Sequence, residues 1–541
     1  MNDNAYIPEK SYLCTQNHIC TTYTINAMNK SNQSHNSSDS YSASGIIARL
    51  YAILCTLYFV PLYIPLSFAQ NPFLPLWEHV PDAEPYVFED PDNPGHQRVY
   101  IYGSHDVLGD AYCGRDQVVW SAPVEDLTDW RYEGVSFTSV YDRDGNLLNP
   151  NGEGDILFAP DVAMRMENGK PVYYLYPNTQ AEGRYNMVAR SDRPAGPFTV
   201  CNWSIDDPKR VEGIMGFDPA VFVDDDGRVY GYWGFDEAYC AELDPATMST
   251  LKPGTSIHRA HVPSRHEAGV FRFYEASSMR KIEDKYVFIY SRWTAPGEFG
   301  MEDNNYTLAY AYGDSPLGPF TYGGTLIDGR APENGHPTAH PRGNTHGSLF
   351  CIENKMVNGT CPNGKYFLVY HRQTGSDEYH RQTMAAPLEV HVERGKGGKV
   401  TIAQAEYTSE GFRTQGLDPR QPIPAGLACY YTGGAVVTDS VVTNIRNGSV
   451  VGYKYLNLNG LKRKAICHLS LKMVNASQPN AVVRVRLDNP LKGKEIGHSY
   501  IKEAVSIPLS LKNISGKHAL FFIFESEDET FQCEMLHFVI N

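Results

Sequence analysis

One motif recurs five times along the chain: a polar residue opens a strand, a turn follows, and a second, aromatic-rich strand returns. The copies begin at Glu84 (EPYVF, leading to VYIYGS), Asp161 (DVAM, to VYYLYP), Asp218 (DPAVF, to VYGYWG), Glu275 (EASSM, to YVFIYS) and His346 (HGSLF, to YFLVYHR). Successive copies lie 77, 57, 57 and 71 residues apart. A propeller blade of four short strands needs about 40–50 residues, so each interval accommodates one blade and an insertion. Two further segments, SDRPAGPFTV (191–200) and GDSPLGPFTY (313–322), are near-copies that each follow a strand, as turns joining outer strands would. Period-two alternation punctuated by Gly, Asp and Asn dominates from 84 to 410, and no long amphipathic helix is present in the pattern. These features predict an all-β chain with a five-bladed β-propeller over 70–418.

Beyond this region the character changes. Residues 430–541 carry β-branched alternation (AVVTDSVVTNI, AVVRVRLD, HALFFIFES), which predicts a small β-sandwich of jelly-roll type, with 419–429 as a linker. The sandwich reads either as a carbohydrate-binding module or as a docking partner of the propeller. At the other end, residues 50–69 form about twenty uncharged residues after Arg49, ending Ser67-Phe68-Ala69. A positive flank, an apolar stretch and a small-residue exit predict a secretory signal peptide over 46–69 and hence export, secreted or periplasmic, with no membrane insertion after cleavage; the stretch is also long enough to span a bilayer, so the alternative is an uncleaved anchor. The polar stretch 1–45 ahead of it is set aside as non-structural, with Met28 an alternative initiator.

Composition removes other classes. With 47 Lys+Arg against 62 Asp+Glu the net charge is −15, and no basic run exists to bind nucleic acid. Export permits disulfides, and Cys351 with Cys361, flanking a turn-rich hairpin, are the pair expected to bond. No cysteine or histidine cluster has zinc spacing. Asp224-Asp225-Asp226-Gly227 looks superficially like a calcium loop but reads as a turn before a strand.

The repeat has a chemical consequence. The innermost strands of a propeller line one central channel, so Glu84, Asp161, Asp218, Glu275 and His346 are expected to converge near one end of it. Like charges at short range raise one another's pKa and cost stability, so such a cluster implies chemistry or a cation. Glycoside hydrolysis uses a protonated acid and an ionised carboxylate together. Metal-assisted hydrolysis would call for more histidines than the single one in register. Trp77, Tyr86, Trp233, Tyr274 and Trp293 lie close in sequence to the axial positions and offer flat apolar faces for a sugar ring. Arg292 and Arg372 could fork onto substrate hydroxyls or hold a carboxylate.

With LFAPDV, GFDPAVFVDDDG, FYEASSM and NTHGSLF in this order and spacing, the chain resembles glycoside hydrolase family 43 over about 77–415. The resemblance implies an inverting, five-bladed hydrolase acting with three carboxylates. It assigns Glu275 as general acid and Asp218 as the residue that orients the acid and tunes its pKa. It places the base in the first blade, where an Asp is usual and Glu84 stands here, with Asp106 as the alternative. Asp161 then resembles a substrate-side or structural acid, and His346 the axial histidine near a structural calcium ion or a water. No organic cofactor is implied. The implied substrate is an arabinose- or xylose-containing plant glycan. An exo-acting α-L-arabinofuranosidase is the first expectation, a β-D-xylosidase or galactan hydrolase the second, acting as a monomer with insertions at 131–156 and 323–345 closing the channel into a pocket. The reading from another class is a non-catalytic sugar-binding propeller, which would repeat one site on every blade, whereas these copies differ most at the axis.

Overall fold

The computed structural model describes residues 70–330, 344–352, 364–375, 377–474 and 480–541. The proposed signal peptide, the N-terminal extension and Cys361 lie outside these residues; Cys351 is disulfide-bonded.

Four consecutive antiparallel sheets and a fifth of three strands follow one another along the chain. Blade one contains β1 (Glu84–Glu89), β2 (Gln97–Gly103), β3 (Asp116–Pro123) and β4 (Arg131–Thr138), and blade two β5 (Asp161–Glu167), β6 (Lys170–Tyr176), β7 (Ala189–Ser191) and β8 (Thr199–Val200). Blade three holds β9 (Ala220–Val223), β10 (Val229–Trp233), β11 (Tyr239–Leu243) and β12 (His258–Arg259). Blade four holds β13 (Phe273–Ile282), β14 (Lys285–Arg292), β15 (Thr307–Gly313) and β16 (Thr321–Asp328). Blade five has β17 (Ser348–Ile352), β18 (Lys365–Gln373) and β19 (Arg381–Leu388), and a hairpin of β20 (Val390–Val392) and β21 (Val400–Ile402) follows it.

Five apolar cores, each shared by two neighbouring blades, close the ring. The second strand of each blade has both faces buried, so its alternate side chains enter different cores. In β2, Tyr100 and Tyr102 pack with Val162 and Tyr173 of blade two, while Val99 and Ile101 pack with Phe350 and Phe367 of blade five. Tyr174 and Tyr176 meet Val221 and Trp233; Tyr230 and Tyr232 meet Phe273 and Phe288; Val287 and Ile289 meet Leu349 and Leu368. The last core returns to the first blade, which makes the arrangement cyclic. A strap reinforces the closure: Phe73 N–H donates to Thr383 O, and the Asn71 amide exchanges two 2.7 Å hydrogen bonds with Ala385 on β19. The two near-copy turns play equivalent parts, with Pro194 O accepting from Tyr102 OH and Pro316 O from Tyr232 OH, each across a blade boundary. The Asp224 turn closes through Gly227 N–H onto Asp224 O, and its carboxylate pairs with Lys281 at 2.6 Å.

The C-terminal part is a two-sheet sandwich with one apolar core running from Leu417 to Ile540. The stretch expected to be a linker, 419–429, belongs to it. Ile423–Pro424 pairs with the strand Cys533–Ile540, and Ala425, Leu427 and Ala428 are buried in the core, because this segment is apolar enough to be drawn in. Docking against the propeller is polar and specific. Arg372 on β18 donates to Ala428 O (3.0 Å) and Gly426 O (2.5 Å), Gly375 N–H donates to Val437 O, and His79 meets Asp439 at 3.1 Å.

Candidate active site

Three blades aim an acid into one cavity of about 280 Å³, and each does so through a strained backbone. Asp82, just ahead of β1, and Asp218, just ahead of β9, have φ of 57° and 49°; Ala276, beside Glu275, has φ of 63°. Non-glycine residues seldom adopt this left-handed region, and such outliers concentrate where structure over-determines a functional geometry. At Glu275 the register of β13 against β14 slips on both sides, a bulge that turns its carboxyl off the ladder and into the cavity. His346 approaches the axis through Gly347, whose φ is 158° and where a Cβ would lie 2.0 Å from Val369 O. The cavity is lined by Asp82, Asp218 and Glu275, by His346, Asn305, Asn344 and Arg381, and by an aromatic wall of Tyr112, Phe158, Phe217, Phe235 and Tyr274.

The imidazole of His346 stands between two of the acids, with Nδ1 4.0 Å from Asp82 Oδ1 and 3.8 Å from Asp218 Oδ2. Asp218 Oδ2 accepts from the backbone N–H of Ala276 and Oδ1 from the Asn178 amide, so it anchors the bulge that presents Glu275. Glu275 itself accepts from Asn305.

The environments push the acids apart. Burial would raise the Asp82 pKa, but the Arg381 guanidinium, donating at 2.8 Å, and the Ser104 hydroxyl at 2.6 Å hold it below the ordinary carboxylate value. Its own N–H donates to His371 Nδ1, and burial depresses the His371 pKa to about 3, so that imidazole is neutral and carries its proton on Nε2, against Asn344. His346, brought down to about 4, is neutral too. Glu275 moves the other way: burial, then the charges of Asp218 and Asp82, push its pKa well up. Asp218 rises to about 8 through burial and then Asp82. Near neutral pH the cavity therefore holds one ionised acid and a neighbouring pair that retains a proton.

The remaining expected site residues distribute differently. Glu84 reaches the axis but opens β1 opposite Tyr102, deeper in the channel, and its carboxylate pairs with Arg280 at 2.6 Å rather than facing the cavity. Asp82, two residues earlier, takes the place expected of it. Asp106 is clasped through both oxygens by Arg381 and lines no part of the cavity. Asp161 accepts from Tyr86 OH and from Val221 N–H, tying blades one, two and three together. Trp233 is packed parallel on Tyr239 in the core between blades two and three. Arg292 is buried, bonded to Val270 O and Glu298, and Arg372 docks the sandwich. All three sit where apolar or carbonyl partners within the protein consume their surfaces, so none lines the cavity. Trp293 lies just outside it, against Tyr274 (4.9 Å) and under the Arg265 guanidinium (4.2 Å). Trp77 is exposed and lies away from the lining.

The insertion expected at 131–156 begins with β4, and only its later part is loop. Asp155 fastens that loop to blade two through a bidentate pair with Arg184 (2.6 and 2.8 Å). Part of the other insertion, 331–343, lies outside the described residues.

Residues 96–393 match the family model Glycosyl hydrolases family 43. The chain belongs to that family. A relative named xylosidase/arabinosidase, from Thermoclostridium stercorarium, is 30% identical, with 84% of this chain and 95% of the relative covered. Among solved structures, an arabinoxylan arabinofuranohydrolase of Bacillus subtilis in complex with cellotetraose aligns with TM-score 0.43 and 20% identity, covering 88% of this chain and 97% of that one. A β-xylosidase/α-arabinofuranosidase from a compost metagenome, in complex with xylotriose and in a calcium-free form, aligns with TM-score 0.41 and 22% identity over 62% and 98%. Family 43 membership makes the protein a glycosidase, and the sugar-binding propeller without catalysis is set aside.

Proposed function

We propose that the protein is an inverting, exo-acting glycosidase that releases single terminal α-L-arabinofuranosyl units from plant cell-wall glycans, with Asp82 as base, Glu275 as acid and Asp218 as the residue that positions and tunes the acid. The observation that carries this reading is the convergence of one ionised and one protonated carboxyl on a single small cavity. Asp82, held ionised by Arg381, accepts a proton from a water molecule on one face of the sugar. Glu275 delivers its proton to the departing glycosidic oxygen on the other, and the C–O bond to the water forms as the bond to the leaving group breaks. Asp218 keeps the proton on Glu275 through its charge and keeps the bulge in place through its bond to Ala276 N–H.

A volume near 280 Å³ suits one sugar ring, not a run of them, which supports exo action. The name xylosidase/arabinosidase carried by the Thermoclostridium relative favours a second reading in which terminal β-D-xylosyl units are also released. Export follows from the apolar segment at 50–69. The deciding experiment pairs nitrophenyl α-L-arabinofuranoside with nitrophenyl β-D-xyloside and follows the first-formed anomer by proton NMR. Turnover with inverted configuration supports the assignment; retained configuration refutes it.

A further inference from the structure

Below the cavity lies a second charged layer that the mechanism does not use. It consists of Glu84, Tyr86 and Asp161 with the guanidinium of Arg280, which reaches in from β13. Arg280 Nη2 donates to Glu84 Oε2 (2.6 Å) and Pro85 O (3.1 Å). Nη1 donates to Tyr86 OH (3.1 Å), Ser278 Oγ (3.1 Å) and Met279 O (2.9 Å), and Nε to Leu349 O (3.0 Å). Its plane also lies 4.4 Å from the centre of the Tyr86 ring. One side chain thus joins blades one, four and five at the axis, with every donor nitrogen occupied.

This arrangement bears on the calcium ion expected beside His346. One atom in the layer invites a cation: Glu84 Oε1 is buried without a hydrogen-bond partner, 3.9 Å from His346 Nε2. Calcium, however, takes six to eight oxygen ligands, and among the described residues no group of three or more His, Cys, Asp or Glu is placed to hold a metal. An ion at that point would also share a carboxylate with a guanidinium already at 2.6 Å, and like charges repel strongly where water is excluded. The residues present do not fit a resident calcium.

We propose that Arg280 is the resident cation of the channel: a covalently attached counter-charge to Glu84 that makes the enzyme independent of divalent ions and keeps them out. Its removal is expected to leave both Glu84 oxygens without a cation, so that a divalent ion can settle on Glu84 beside His346 with water filling its remaining positions.

The test compares the full-length wild type with Arg280→Lys, Arg280→Met and the double variant Arg280→Met/Glu84→Gln, each melted in excess EDTA and in millimolar calcium chloride, with calcium titrated calorimetrically. Wild type and Arg280→Lys should show the same melting temperature in both buffers and bind no calcium. Arg280→Met should melt lower in EDTA, regain ~3 °C or more in calcium, and bind one ion per chain. The double variant, having lost cation and acid together, should fold without calcium and ignore it. A wild-type activity or melting temperature that EDTA lowers and calcium restores overturns the proposal. So does an Arg280→Met protein that folds but binds no calcium. Should Arg280→Met not fold, the double variant decides: folding without calcium supports the counter-charge role, and failure to fold shows that the guanidinium is needed for its shape instead. These readings concern metal and stability, so they hold whichever sugar the enzyme cleaves.

Discussion

Arg381 donates to Asp82 at 2.8 Å while clasping both carboxylate oxygens of Asp106, so one buried guanidinium from blade five is shared by two acids in blade one. The relationship separates an acid that faces the cavity from one that does not. Asp82 keeps one oxygen bonded to Ser104 and still lines the cavity, whereas Asp106 also accepts from Cys113 N–H and is spent on the guanidinium.

Replacing Asp82 by Asn should therefore lower kcat by about 10²–10⁴-fold with the melting temperature little changed, the usual size of a general-base contribution. Glu84→Gln should leave kcat within about tenfold of wild type and should instead lower stability, since it deprives buried Arg280 of its charge partner. Steady-state kinetics and thermal melts on both purified variants check the pair. A Glu84→Gln enzyme as inactive as Asp82→Asn would return the base to Glu84.

The acid is expected to reveal itself through the leaving group. Glu275→Gln should lose most activity on natural glycans and on alkyl glycosides. It should retain far more on dinitrophenyl glycosides, whose phenolate departs without a proton, and Asp82→Asn should not share that recovery. Comparing kcat/KM for the two substrate types in both variants is decisive.

The pH profile follows from the opposed shifts. The acid limb of kcat/KM should lie below the ordinary Asp value because Asp82 is held down. The alkaline limb should lie well above the ordinary Glu value, because burial and the charges of Asp218 and Asp82 hold the proton on Glu275. Asp218→Asn removes a charge that raises Glu275, so its alkaline limb should move to lower pH. Arg381→Lys, which loses the fork, should move the acid limb up. Stability carries the same signs. Asp218 and Glu275, both raised, stabilise the fold below their unfolded pKa values and lose that contribution as pH rises through their folded values, about 8 for Asp218. Asp82 contributes above its unfolded value and loses it as pH falls. Rate profiles and melts across pH test each limb separately.

The fold was legible because a propeller's second strands are buried on both faces, leaving unbroken apolar runs such as VYIY and YVFIY at a readable interval. The catalytic register was less so in blade one. EPYVF matches DPAVF letter for letter in its Pro, Val and Phe, which sets Glu84 level with Asp218. In the structure, however, Glu84 is already paired within β1 while Asp218 precedes β9. The first-blade acid that lines the cavity, Asp82, lies two residues upstream, and a shift of two keeps every side chain on the same face, so hydropathy gives no warning. The acidic pair in Asp82-Ala83-Glu84 was the one available signal. Arg280 carried none, since a charged residue in a strand ordinarily faces water. Arg292, Arg372 and Trp233 lie outside the cavity for the converse reason: inter-blade cores and domain docking use the same residue types that bind sugars.

Arg372 gives a prediction opposite to its expected role. Its partners are carbonyls of the sandwich and the Gln382 amide oxygen, none of them in the cavity. Arg372→Met should cost about 2–3 kcal/mol of stability, in line with hydrogen bonds to a buried charge, and leave KM for nitrophenyl glycosides unchanged.

Phe235 should behave in the reverse way. Its ring is half exposed at the cavity wall, 5.7 Å from Phe217 and 4.9 Å from Tyr274, and Tyr274 in turn meets Trp293, so an aromatic ridge runs from the cavity toward the rim. Little of the fold depends on a side chain so exposed, and an apolar face beside the sugar pocket has substrate as its natural partner. Phe235→Ala should then raise KM about tenfold on oligosaccharides with kcat nearly constant, because the ring contributes equally to ground and transition states. The effect should shrink on nitrophenyl monosaccharides if the ridge carries the part of the glycan beyond the scissile bond, and an equal loss on both would place Phe235 against the terminal sugar itself.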